Sequence, residues 1–90
     1  MKKWHVSPDV VLREEADDWG VLFDPDTGNN VVLNPMAISM FKLMRKGRDS
    51  EEIAAAIRAE YDEVPETLSA DITELIESLA AGGFIGFENG

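Results

Sequence analysis

Cysteine is absent from the 90-residue chain, and disulfides, thiolate metal sites and thiol chemistry are excluded with it. That usage fits a reducing cytoplasm, the expected location. Basic charge is scarce: eight Lys and Arg stand against 18 Asp and Glu, a formal net charge of −10. Such a chain repels phosphate backbones and anionic membrane surfaces, which makes nucleic acid a poor partner. The one histidine, His5, satisfies no metal geometry alone. The serines have neither a second His nor a Cys around which to build a nucleophilic site. No phosphate-cradling loop of the G-x-x-x-x-G-K type occurs, and Gly82-Gly83 follows a helical segment where a cradle would precede one. No apolar run approaches the ~20 residues of a membrane span, and the polar start from Met1 to Asp9 lacks the apolar region of a signal peptide. What remains is a soluble protein that is not expected to be an enzyme, with no metal or cofactor.

What is present suffices for a fold. A content of 44 % hydrophobic residues with seven Gly and four Pro is globular, and the length argues for one domain over residues 1–90. A domain this size buries about 60 to 70 % of the surface its unfolded chain exposes, so its core is modest. The segment before Ser7, with Trp4 and His5, is expected to be mobile, and the ordered core to span about residues 6–86.

Val10 to Glu15 reads as a first strand, ended by Ala16-Asp17-Asp18, and Trp19 to Asp24 as a second. Asp24-Pro25-Asp26-Thr27-Gly28 has a Pro that pre-sets φ, an Asp that bonds the backbone ahead of it, and a Gly free to turn left-handed. It predicts a hairpin into a third strand, Asn30 to Leu33, and the short loops predict the sheet order first, second, third. As paired carboxylates, Asp17-Asp18 and Asp24 with Asp26 are better explained by their turns than by metal or acid–base chemistry.

The run Val31 to Phe41 switches from strand to helical rhythm at Asn34-Pro35. Asn34 can cap a helix, and Pro35 suits its first turn. One corner therefore ends a strand and starts a helix. Ala37, Met40, Phe41 and Met44 form a stripe, and Met36, Ile38 and Leu43 add apolar surface elsewhere, as in a helix packed nearly all round. Gly47 ends it, behind a basic group of Lys42, Arg45, Lys46 and Arg48 that suits the helix dipole; a docking patch for an acidic partner is the lesser reading. Asp49 and Glu52 have capping-box spacing for a second helix that buries Ile53, Ile57 and Tyr61. Pro65 is expected to start a third, through Ala81, with Leu68, Ile72, Leu75, Ile76 and Leu79 on one stripe. Phe84 to Phe87 either returns as a fourth strand or covers the core.

The expected fold is α+β and winged helix-turn-helix-like, with an N-terminal three-stranded antiparallel sheet followed by three helices. That topology ordinarily puts its last helix into the DNA major groove. Here the helix carries Glu66, Asp71, Glu74 and Glu77 and no Lys or Arg, so DNA would repel it. The sheet edge holds more functional promise. Asn30-Val31-Val32-Leu33 carries no Lys, Pro or other obstacle to pairing, and an open edge invites an extended peptide to add as a further strand. The third helix would supply the opposite wall, with Leu68, Ile72 and Leu75 for apolar contact and Asp71 for a basic residue of the ligand. Coverage of the edge by the chain's own termini, or by a second copy in a homodimeric or scaffolding protein, is the competing reading.

Val10 to Glu14, Gly20 to Gly28, Val31 to Pro35, Asp49 to Ile53 and Leu75 to Leu79 through Gly83-Phe84-Ile85 together resemble the PqqD-like family in order and spacing, over about residues 6–86. The resemblance implies a recognition element for ribosomally made, post-translationally modified peptides. Such domains hold a precursor's leader as an added strand between the third strand and third helix. They present the core to a modifying enzyme, often a radical S-adenosylmethionine enzyme. Carried over, the groove comprises Asn30, Val31, Val32 and Leu33 with Leu68, Asp71, Ile72 and Leu75. Members dedicated to pyrroloquinoline quinone carry an alanine-proline-glutamate type sequence and a longer insertion where this chain has Leu33-Asn34-Pro35, which favours a relative serving some other peptide, or an unknown partner.

Overall fold

The computed structural model describes residues 3–16 and 18–88; Asp17, expected in the first turn, lies outside them. The elements in chain order are β1 (Lys3–Val6), β2 (Val11–Ala16), β3 (Trp19–Phe23), β4 (Asn30–Leu33), α1 (Pro35–Arg45), α2 (Ser50–Glu60), α3 (Leu68–Ala81) and β5 (Ile85–Glu88). The three expected strands are β2, β3 and β4, and they form one antiparallel sheet in that order. The fold is α+β, as the sequence predicts.

The hairpin follows its turn chemistry. The Asp24 carboxylate accepts the Asp26 N–H at 2.9 Å, the Asp24 carbonyl accepts the Gly28 N–H at 2.8 Å, and Gly28 has a φ of 78°. At the next corner Asn34 Oδ1 accepts the Ala37 N–H at 2.8 Å, with Pro35 in the first turn. Strand therefore passes into helix without a loop. Gly20 is the counterpart on the sheet: a Cβ there would stand 3.0 Å from the tip of Ile38, so the missing side chain lets α1 settle onto β3. Leu22, Leu33, Phe41, Met44, Ile53, Ile57, Leu68, Ile72 and Leu79 are each at most 2 % exposed and form the centre of the core. Asp49 and Glu52 complete the reciprocal cap of α2 at 2.8 and 3.1 Å.

Two expectations need correction. The N-terminal segment is not loose: β1 pairs antiparallel with β5, His5 opposite Gly86, in a separate two-stranded sheet. Trp4 and Val6 lean on the core while the intervening His5 is exposed. That alternation is only four residues long, too short to read from periodicity. The third helix begins at Leu68, three residues after Pro65. Pro65 opens only a turn, closed by the Leu68 N–H on the Pro65 carbonyl at 3.1 Å. Thr67 spends its hydroxyl on Asp71 Oδ2, at 3.2 Å, and caps no backbone N–H. Glu66 thus lies before the helix.

Candidate functional site

The sheet has two edges, and they differ. β2 carries Arg13, Glu14 and Glu15 and has a register irregularity between Glu14 and Ala16; charges and bulges of this kind discourage further pairing. β4 has neither. Among the described residues β4 pairs only with β3, because β1 and β5 bind each other instead.

Register identifies which groups of β4 are spare. The Asp24 N–H donates to the Asn29 carbonyl at 2.9 Å, which makes Asp24 and Asn29 a hydrogen-bonded pair. Such pairs alternate along an antiparallel ladder. Leu22 with Val31 and Gly20 with Leu33 are therefore also hydrogen-bonded, whereas Phe23 with Asn30 and Val21 with Val32 are not. It follows that the N–H and C=O of Asn30 and Val32 point away from β3, to the open edge. Val32 is 63 % exposed, and Leu33 on the opposite face is 2 % exposed.

Beside this edge lies an open cleft of ≈ 430 Å³ between the first turns of α1 and one face of α3. Asn34, Met36, Ala37 and Met40 line it from α1, with Asp71, Glu74, Leu75 and Ser78 from α3. α3 packs on α2 and β5. At the far end Asn29 Nδ2 donates to the Gly82 carbonyl at 2.7 Å and joins the hairpin turn to the end of α3. This bond ties the start of β4 to the C-terminal end of α3.

The residues expected here divide into four groups. Asn30 and Val32 offer the free main chain, Val31 and Leu33 complete the ladder to β3, and Asp71 and Leu75 border the cleft. Leu68 and Ile72 are 1 % exposed and support α3 from the core side. Sequence periodicity grouped them with Leu75, because all lie on one broad stripe; Leu75 is at its edge, on the side of Asp71 and Ser78, and so borders the cleft while Leu68 and Ile72 are buried.

The PqqD family model, described as coenzyme PQQ synthesis protein D, matches residues 20–85. The chain belongs to the PqqD family. Two solved structures share its fold. TbiB1 in complex with the TbiA(β) leader peptide has a TM-score of 0.75 and 29 % sequence identity, over 94 % of this chain and 99 % of that one. Lasso peptide synthetase B1 complexed with the leader peptide has a TM-score of 0.74 and 26 % identity, over 93 % and 98 % of the two chains. No curated protein matches.

In this PqqD-family chain the basic group around the end of α1 is largely engaged within the chain. A larger hollow, ≈ 550 Å³, lies between β1 and the end of α1, but its cation, Arg45, donates to the Val10 carbonyl at 2.9 Å and lies over the Phe41 ring, 4.7 Å from its centroid. Lys42 pairs with Glu14 at 3.2 Å and Arg48 with Glu52 at 3.4 Å, so much of the basic group is engaged within the chain. At the hairpin turn the Asp26 carboxyl is raised from its ordinary value, first by the charge of Asp9, then by a hydrogen bond to it, slight desolvation and the charge of Asp24. Sequence reading missed the Asn29–Gly82 clamp, whose partners lie 53 residues apart. Nothing local to Asn29 marks it.

Proposed function

We propose that this protein is a non-catalytic peptide-recognition element that takes up the leader of a ribosomally made precursor as a further strand on β4 and presents the rest of the precursor to a modifying enzyme. The observation that carries the reading is the outward N–H and C=O of Asn30 and Val32 beside a cleft bordered by α1 and α3. Main-chain bonds to such an edge supply affinity, and pockets for alternate side chains supply selectivity. The leader peptides bound to the two structural relatives support the same ligand class. The modifying enzyme fits the radical S-adenosylmethionine type often associated with the family, and the setting is cytoplasmic. Holding the leader raises the effective concentration of the core peptide at that enzyme and turns their encounter into a nearly intramolecular event.

Hydrogen exchange tests the reading directly. The amides of Asn30 and Val32 are to be followed with and without a candidate precursor leader peptide. They gain protection on binding, whereas those of Val31 and Leu33, already bonded to β3, change little. Unchanged exchange at Asn30 and Val32 with saturating peptide refutes strand addition. A second copy is the competing occupant of the edge, and a concentration-dependent mass in light scattering reports it. A nucleic-acid reading of the winged-helix topology is opposed by Asp71, Glu74 and Glu77 on α3, which has no basic residue in its last turn; salt-sensitive binding to duplex DNA would revive it.

A further inference from the structure

We infer that the peptide accepted by β4 carries two large apolar residues at adjacent positions, one for each face of the sheet, with a Lys or Arg close to the inward one; this rests on strand addition at β4. An ordinary edge strand has an apolar face and a polar face. At β4 the inner face carries Val31 and Leu33, and the outer face, beyond the polar Asn30, carries the apolar Val32. On the outer face, Val32 stands opposite Val21, with Phe23 at 38 %, Trp19 at 40 % and Val11 at 46 % exposure beyond it. By strand alternation Val11, Trp19, Val21, Phe23 and Val32 all share this outer face. Its cation, Arg13, is paired with Glu15 at 3.3 Å.

A peptide residue directly opposite Val32 would project its side chain to the same outer face, with its Cβ about 5 Å from that of Val32. Its two neighbours would turn inward, where Met36, Met40 and Leu75 line the cleft. Both positions therefore gain from apolar side chains, in either strand direction. The charge preference comes from the cleft rim. Asp71 and Glu74 border it, Asp71 accepts a hydrogen bond from the Thr67 hydroxyl, and neither is among the described ion pairs, which use Glu14, Glu15 and Glu52. In a chain of net charge −10 an incoming cation is attracted over a long range. A second copy fits poorly: its β4 offers Val31-Val32 without a basic residue and brings the same net charge.

Panning a random linear peptide library on the purified protein tests the inference without knowledge of the precursor. The expected winners share an adjacent pair of large apolar residues with Lys or Arg within two positions. Synthetic winners lose affinity roughly two- to fivefold on Val32→Thr, and Asp71→Asn flattens the salt dependence of binding. Winners that alternate apolar with polar residues, winners rich in Asp and Glu, or indifference to Val32→Thr overturn it. Amide exchange separates the two levels: a winner that protects Asn30 and Val32 yet lacks the adjacent pair refutes this inference and leaves strand addition standing, whereas winners that protect other amides, or a library with no winner, refute both.

Discussion

Two neighbouring proline substitutions distinguish the open side of β4 from its paired side. In Val32→Pro the lost N–H is one that faces solvent in the free protein, and proline is tolerated at such edge positions. Stability falls by less than about 1 kcal/mol, because no ladder bond is removed. In Val31→Pro the lost N–H is bonded across to Leu22, which is fully buried, and the orphaned carbonyl costs about 1 to 3 kcal/mol. For a domain of this size that lowers the melting temperature by roughly 4 to 24 °C. The order reverses for the ligand. Val32→Pro removes a hydrogen bond to the added strand, worth about 0.5 to 1.5 kcal/mol, or a factor of roughly 2 to 13 in affinity, and its ring obstructs close approach. Thermal melts by circular dichroism and titration calorimetry with the precursor peptide read the two effects separately. Equal melting temperatures for the two variants would show that the register assignment is wrong, and full peptide affinity in Val32→Pro would remove β4 as the binding edge.

Asn29→Ala cuts the 2.7 Å bond to the Gly82 carbonyl; being exposed, it costs about 0.5 kcal/mol of stability, while peptide affinity drops by a larger factor as the cleft end loosens, a split that urea denaturation and calorimetry resolve. Ile72→Ala, at a site 1 % exposed, destabilises by about 2 to 5 kcal/mol, whereas Leu75→Ala on the cleft wall changes the urea midpoint little and weakens the peptide. Asp9→Asn relieves the repulsion that raises the Asp26 carboxyl. A carboxyl raised on folding binds its proton more readily in the native state, so its contribution is full at pH below the ordinary carboxylate value and is lost as pH rises through the folded value. The variant therefore melts higher than the parent at pH 7, and the difference vanishes below about pH 3.

Where a single residue type forces local geometry, the sequence was readable. Asn34-Pro35, Asp24 to Gly28 and the Asp49–Glu52 pair each satisfy backbone groups within five residues, so their outcome depends on little else, and the order β2-β3-β4 followed from the short loops between them. Elements that depend on distant partners were not readable. β1 has meaning only against β5, and neither segment has enough alternation to announce itself. The start of α3 was misjudged because the choice of Thr67 between capping and bonding Asp71 is not visible in composition. At the candidate site, the bareness of Asn30 to Leu33 pointed to β4, which among the described residues pairs only with β3. Which β4 amides point outward required the Asp24–Asn29 bond, and which side chains of α3 border the cleft required knowing what packs against each side of the helix.

The β1–β5 pairing brings the described ends of the chain side by side, Lys3 opposite Glu88, against the C-terminal half of α1, near Met44 and Arg45. The cleft opens at the other end of that helix, around Met36, about 12 Å away along its axis at 1.5 Å per residue. A neighbouring catalytic unit could thus be fused at either terminus, or the ends spliced together and the ring reopened at Gly47, without disturbing β4.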